Sequence, residues 1–178
     1  MQAASPSPRQ VSFELADEAA TMRLGAAFGA ALEAQSEAIE RSGLVVAVSG
    51  ELGAGKTTWV RAALRRLGVT GLVRSPTFAL LELYPLSRLN FYHFDFYRFS
   101  DPNEFESLGF RDFFGAGSVC AIEWPERAGD RRFKVDLRMA LQIADAGRIA
   151  QADALTQVGQ QCLDRMHQAW TSSPDGAC

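Results

Sequence analysis

Gly50-Glu51-Leu52-Gly53-Ala54-Gly55-Lys56-Thr57, preceded by the apolar run Leu44-Val45-Val46-Ala47-Val48, decides the fold class of this chain. A buried strand, a glycine-rich bend and a helix opening at a lysine and a threonine form the pattern of a phosphate-binding P-loop. The glycines let the bend turn its N–H groups inward at phosphate oxygens, and the helix amino end adds positive potential. Lys56 supplies a mobile charge for the β and γ phosphates of a nucleoside triphosphate, and Thr57 a hydroxyl for its magnesium ion. The candidate nucleotide-binding residues are therefore Gly50, Glu51, Leu52, Gly53, Ala54, Gly55, Lys56, Thr57 and, one position on, Thr58.

Composition sharpens the assignment of Lys56. Of 18 basic residues only Lys56 and Lys134 are lysine, so the chain uses arginine almost wherever a positive charge suffices. A flexible ammonium enters such a loop where a planar guanidinium would not.

With 178 residues, 47% of them hydrophobic, the chain can bury one core and is too short for two full-sized domains. A net charge of -3 gives no global attraction to nucleic acid or to an anionic membrane. Cys120, Cys162 and Cys178 are odd in number and widely spaced, and His93 and His167 are the only histidines, so neither a zinc site nor a disulfide framework is indicated. Met1 to Gln10 has no apolar signal core, and no run reaches the length of a membrane span; a reduced, cytoplasmic protein is expected.

Residues 1–9 read as a disordered lead, 10–155 as a P-loop domain and 156–178 as a C-terminal helix with a frayed tail. Val11 to Leu15 alternates like a strand, and Asp17 can cap one amphipathic helix, carrying Leu24, Phe28 and Leu32, that ends near Ser42-Gly43. Trp59, Val60, Ala63, Leu64 and Leu67 form the core stripe of the helix after the P-loop, with a stop at Gly68. The runs Ala79 to Tyr84 and Phe91 to Tyr97, joined by a turn over Pro85 to Asn90, predict an antiparallel pair. Asp101-Pro102-Asn103-Glu104 reads as a capped helix start, and Val119 to Ile122 as a buried strand. Phe133 to Ile143 and Ile149 to Leu155 read as two strands around Asp145-Ala146-Gly147, and Thr156 to Trp170 as a helix.

A P-loop needs a carboxylate at the end of a neighbouring strand to hold metal or orient water. Glu123 follows the buried strand directly, where a charge points into the crevice in which open α/β sheets bind ligands. Asp95 lies inside the aromatic strand, on the face shared by His93 and Tyr97 and opposite Phe94 and Phe96. Aspartate is a poor strand former and costly to bury alone, so either metal or Lys56 must satisfy it, or an arginine such as Arg98. Ser75-Pro76-Thr77 lies between elements, where segments that sense a triphosphate sit; simple turn chemistry explains it equally well. Asp112-Phe113-Phe114-Gly115 and Lys134-Val135-Asp136 spell fragments of GTPase signatures but stand in the wrong contexts, and His93 and His167 read as packing or surface residues.

Gly50 to Thr58, Ser75 to Phe78, His93-Phe94-Asp95-Phe96-Tyr97-Arg98 and Ile122-Glu123-Trp124-Pro125-Glu126 together closely resemble the bacterial TsaE family, over about Phe13 to Leu155. Its members are the ATPase component of tRNA threonylcarbamoyladenosine biosynthesis. The resemblance implies an α/β P-loop NTPase fold with a mixed parallel and antiparallel central sheet flanked by helices. It further implies ATP and Mg2+ as cofactors, TsaB and TsaD as partners, and tRNA served indirectly through that complex. By the same resemblance Thr57 and Glu123 hold magnesium, Lys56, Thr58, Asp95 and Glu123 serve hydrolysis, and Asp95 stands at the metal. Ser75, Pro76 and Thr77 act like a switch, Trp124 reports on nucleotide by its fluorescence, and Glu18 and Gly147, with Asp17 and Arg148 beside them, lie near the adenine and ribose.

A small-molecule kinase is the alternative, since such enzymes share the loop and add a lid of arginines, for which Arg127, Arg131 and Arg132 are available.

Overall fold

A computed structural model describes residues 9–129 and 133–173. The strands are β1 (Arg9–Leu15), β2 (Leu44–Ser49), β3 (Leu81–Pro85), β4 (Asn90–Asp95), β5 (Ser118–Glu123), β6 (Leu137–Ile143) and β7 (Arg148–Ala154). The α-helices are α1 (Glu18–Ala34), α2 (Ser36–Ser42), α3 (Lys56–Arg66), α4 (Glu104–Ser107) and α5 (Gln157–Thr171), with single 3-10 turns at Phe110–Phe113 and Pro125–Ala128. The strands form one sheet in the order β1-β7-β6-β2-β5-β4-β3. Its centre, β6-β2-β5-β4, is parallel, while β3 and the β7 and β1 flank run antiparallel, so the expected mixed sheet is found.

The central strands are buried on both faces, and each face is filled differently. Val46, Val48, Phe91, Val119, Ala121 and Met139 meet the apolar stripes of α1, α3 and α5, including Leu24, Phe28, Trp59, Leu64 and Leu163. Phe28 and Trp59 stack there at 4.5 Å between ring centroids, joining α1 to α3. The other face is an aromatic layer of Phe94, Phe96, Phe99, Phe105 and Phe110 over Cys120 and Ile122. Each such ring pair adds about 0.5–1.5 kcal/mol beyond its area burial.

Several sequence-based boundaries shift. Arg9, placed in the lead, is the first residue of β1, and residues 1–8 lie outside the described part of the chain. Asp17 does cap α1, accepting from Ala20 N–H at 2.7 Å, but the helix breaks at Gln35 and resumes as α2. Leu32 and Ile39 are both fully buried and, seven positions apart, stay in phase for an unbroken helix, so periodicity hides the break. β3 begins only at Leu81, because Leu80 adopts a left-handed φ of 65° and donates its N–H to Pro76 at 2.6 Å. β6 begins at Leu137: Phe133 joins the aromatic layer, and Asp136 accepts from Val45 N–H at 2.8 Å and Thr156 Oγ1 at 2.7 Å. The helix expected at Asp101 to Glu104 is the single turn α4.

Helix α5 shares the main core. Cys162, Leu163 and Met166 are fully buried, and Trp170 meets the Phe13 ring edge-on at 5.8 Å. Residues 174–178 lie outside the described part.

Candidate functional site

The P-loop bend carries the chain from β2 into α3, and its backbone demands glycine. Gly50 has a φ of 142°, and a Cβ there would stand 2.3 Å from the Leu141 carbonyl oxygen of β6. Gly55, at a left-handed φ of 101°, precedes Lys56, the first residue of α3. The bend opens on a cavity of about 360 Å3 lined by Leu52, Gly53, Gly55, Lys56, Thr57, Thr58, Ser75, Thr77, Asp95, Tyr97, Glu123, Trp124, Arg148, Glu18 and Thr21. A roomier cleft, about 660 Å3, contains Arg41, Phe114, Lys134 and Thr156 but none of the P-loop residues. Chemistry rather than size singles out the smaller one.

Sheet register explains how residues far apart in sequence meet there. Val48 and Asp95 are the neighbours of Glu123 on either side, so β2, β5 and β4 end together. Side chains alternate along a strand. Glu123 therefore shares its face with Val119 and Ala121, and Asp95 shares its face with Phe91, the face covered by the helices. That alternation directs both carboxylates toward the start of α3.

Both carboxylates are buried, at 2% exposure each, and both are hydrogen-bonded. Glu123 accepts from the Thr57 hydroxyl, at 2.8 Å on Oε1 and 3.1 Å on Oε2, and its Oε1 lies 2.8 Å from His93 Nε2. Asp95 Oδ2 accepts from the Ser75 and Thr77 hydroxyls, the latter at 2.8 Å, and its Oδ1 accepts from the Tyr97 N–H at 2.9 Å. That last bond turns the chain, so Asp95 ends β4 rather than lying inside a strand running to Tyr97. Arg98, named above as a possible partner, instead stacks on the Phe78 ring at 4.1 Å.

Lys56 Nζ donates to the Gly50 carbonyl at 2.6 Å and the Glu51 carbonyl at 2.9 Å, and it lies 4.0 Å from the centre of the Trp124 ring. Burial lowers the pKa of this ammonium, while Glu123, Asp95, Glu126 and Glu51 pull it back up. Trp124 reaches over the lysine because its backbone takes a left-handed φ of 57° directly after β5.

Of the residues named from sequence, Gly50, Glu51, Ala54, Pro76 and Gly147 are not among those that line the cavity. Gly147 serves the β6–β7 hairpin, where a Cβ would stand 2.2 Å from the Leu15 carbonyl oxygen. Its neighbour Arg148 is the lining residue and donates to Gly53 O at 3.3 Å. Thr21 and Tyr97 line the cavity without having been picked. His93 departs most from expectation, since its ring touches Glu123 instead of merely filling space. The period-two alternation that put His93 on the Asp95 face was the available signal. Arg127 lies in the 3-10 turn after Trp124, 6.0 Å from the Tyr97 ring centre, and Arg131 and Arg132 fall outside the described residues. No helix is long and apolar enough to cross a membrane among the described residues.

Comparison with known proteins agrees with this architecture. The family model described as threonylcarbamoyl adenosine biosynthesis protein TsaE matches residues 15–152. A Haemophilus influenzae protein named tRNA threonylcarbamoyladenosine biosynthesis protein TsaE is 35% identical over 147 residues, covering 83% of this chain and 91% of the relative. A Treponema pallidum protein of the same name is 35% identical over 129 residues, 72% of this chain and 89% of that one. The crystal structure of Bacillus subtilis YdiB superposes with a TM-score of 0.71 at 22% identity, covering 92% of this chain and 98% of that one, a likeness of fold.

Proposed function

The chain belongs to the TsaE family, and from that premise we propose that it binds ATP with magnesium, hydrolyses it slowly when alone, and serves threonylcarbamoyladenosine modification of tRNA by acting on the TsaB–TsaD transferase complex. The observation that carries this reading is the convergence of Lys56, Thr57, Asp95 and Glu123 on one cavity at the P-loop.

The donor set suits a hard divalent cation. Magnesium takes one or two carboxylates and leaves its other positions to phosphate and water. Thr57 and Glu123 would hold it, with Asp95 beside them; no group of three or more His, Cys, Asp or Glu able to hold a metal occurs among the described residues. When bound, the ion neutralises charge on the phosphates.

The chain's own groups supply the rest. Lys56 is held by two neutral carbonyls, and a triphosphate offers it charged acceptors, which make stronger hydrogen bonds. The P-loop N–H groups cradle the phosphates, with Thr58 at the cavity wall beside Thr57. Asp95, a carboxylate with two hydroxyls on one oxygen, orients the attacking water. Ser75 and Thr77 tie the segment around Pro76 to that same carboxylate, so a change at Asp95 is felt by an exposed loop whose Phe78 is 84% exposed. That coupling gives the switch a physical path to a partner protein.

Two measurements test the reading. With ATP and magnesium the protein should release free phosphate; efficient transfer to a nucleoside acceptor would instead establish the kinase alternative. Cells depleted of the protein should lose threonylcarbamoyladenosine from their tRNA, and unchanged levels would remove it from that pathway.

A further inference from the structure

His93 is one of the most deeply buried polar residues in the chain, with 0% exposure, and it stands against a carboxylate that is itself buried. An ionised carboxylate only accepts hydrogen bonds, so toward an ionised Glu123 the ring nitrogen 2.8 Å from Oε1 is the donor. The register puts His93 opposite Ala121 and Asp95 opposite Glu123, which makes His93 and Glu123 diagonal neighbours on one face of the β4–β5 pair.

Two donors from two different elements thus close on the same oxygen. Thr57 Oγ1 at the start of α3 and His93 Nε2 in β4 both lie 2.8 Å from Oε1, whereas among the described residues Oε2 has only the longer 3.1 Å contact from Thr57. The plane of the carboxylate is fixed, and Oε2 keeps spare acceptor capacity.

Packing does not account for a histidine here. Its Nδ1 is buried without a partner among the described residues, a cost that a leucine or phenylalanine in the same space would avoid. The Nε2 donor is what an apolar residue could not supply.

We propose that His93 is a positioning residue whose Nε2–H holds the Glu123 carboxylate in the orientation needed by the divalent cation that accompanies the nucleotide. The inference rests on the nucleotide reading above and deepens it.

The test uses the full chain with a non-hydrolysable ATP analogue and Mn2+ as a spectroscopic probe, reading ion binding by electron paramagnetic resonance. Nucleotide affinity is measured separately in EDTA, and folding by thermal melting. His93→Leu should weaken Mn2+ binding about tenfold or more, the loss typical of a group that orients a metal ligand, and His93→Gln, which carries an N–H near the Nε2 position, should recover to within about threefold. Metal-free nucleotide affinity should be the same in all.

A folded His93→Leu chain with unchanged Mn2+ affinity would overturn the assignment. So would equal losses in the Leu and Gln variants, or a parallel fall in metal-free nucleotide affinity, which would mark His93 as a packing residue. If the leucine variant fails to fold, His93→Asn, too short to reach Oε1, takes its place against His93→Gln with the same expectations. Should the unmutated chain bind no nucleotide, the nucleotide reading falls and this inference with it; tight Mn2+ and nucleotide binding that ignores His93 removes only the inference.

Discussion

On one face of β4, His93 and Asp95 are as deeply buried as Phe94 is on the other, yet the two faces are held by different forces. Phe94 meets the rings of Phe96, Phe110, Phe113 and Phe114 at 5.4–6.4 Å between centroids, a layer whose strength is apolar area and close packing. The opposite face aims hydroxyls, a ring nitrogen and the Tyr97 backbone N–H at two carboxylates. Burial by itself therefore says little about role. The kind of partner separates a face that sustains the fold from one arranged for chemistry.

The largest expected effect falls on the aromatic face. Phe94→Ala should cost about 3–5 kcal/mol of stability, as a large buried side chain replaced by a cavity does. Denaturant melts would show it, while calorimetry on the folded protein should find ATP affinity unchanged. Lost affinity without lost stability would erase the distinction between the faces.

Next comes Lys56→Ala on the polar side, expected to weaken ATP binding about 100-fold, equivalent to about 2.7 kcal/mol, with a melting temperature close to that of the unmutated chain. Titration calorimetry measures the first and thermal melting the second.

Asp95→Asn sharpens the division within the polar face. Phosphate release should fall about tenfold to 100-fold while ATP affinity stays within about threefold, the signature of an interaction used mainly in the transition state. An equal loss of binding would assign Asp95 to holding nucleotide instead.

The smallest effect concerns pH and the apolar interior. Burial pushes the Cys120 thiol up, and it pushes the Cys162 thiol up to about 12 from an ordinary 9.0. In alkali the unfolded chain loses these protons before the folded chain can, so it binds fewer protons there and stability falls as pH rises from 9.0 toward about 12. Cys162→Ala should therefore lose about 1 kcal/mol less than the unmutated chain between neutrality and about pH 10, read from urea midpoints at each pH. Identical slopes would show that the thiol ionises in the folded chain as readily as in water.

Much of the site could be picked from sequence because each choice rested on a local rule. Glu123 is a charge directly after four small or apolar residues, and Asp95 is a poor strand former inside an aromatic run; the structure puts both in the P-loop cavity. Of the pair Gly147 and Arg148, the glycine turns the β6–β7 hairpin and the arginine lines the cavity, a division that two adjacent letters do not reveal. His93 escaped because a lone histidine in a strand is ordinarily packing, and nothing in its own segment mentions Glu123, 30 positions away. The helix break at Gln35 escaped because the buried positions on either side keep the helical period.

The amino-acid sequence by itself determined the strand, bend and helix of the P-loop, the families of apolar positions and the turns that end elements, because backbone conformation and periodicity are set within a few residues. Only the tertiary structure decided that β5 lies between β2 and β4, that Glu123 stands beside both Val48 and Asp95, and that His93, Thr57 and Glu123 touch. Strand order and register depend on which distant faces bury one another best, a competition over the whole sheet that no local stretch of chain encodes.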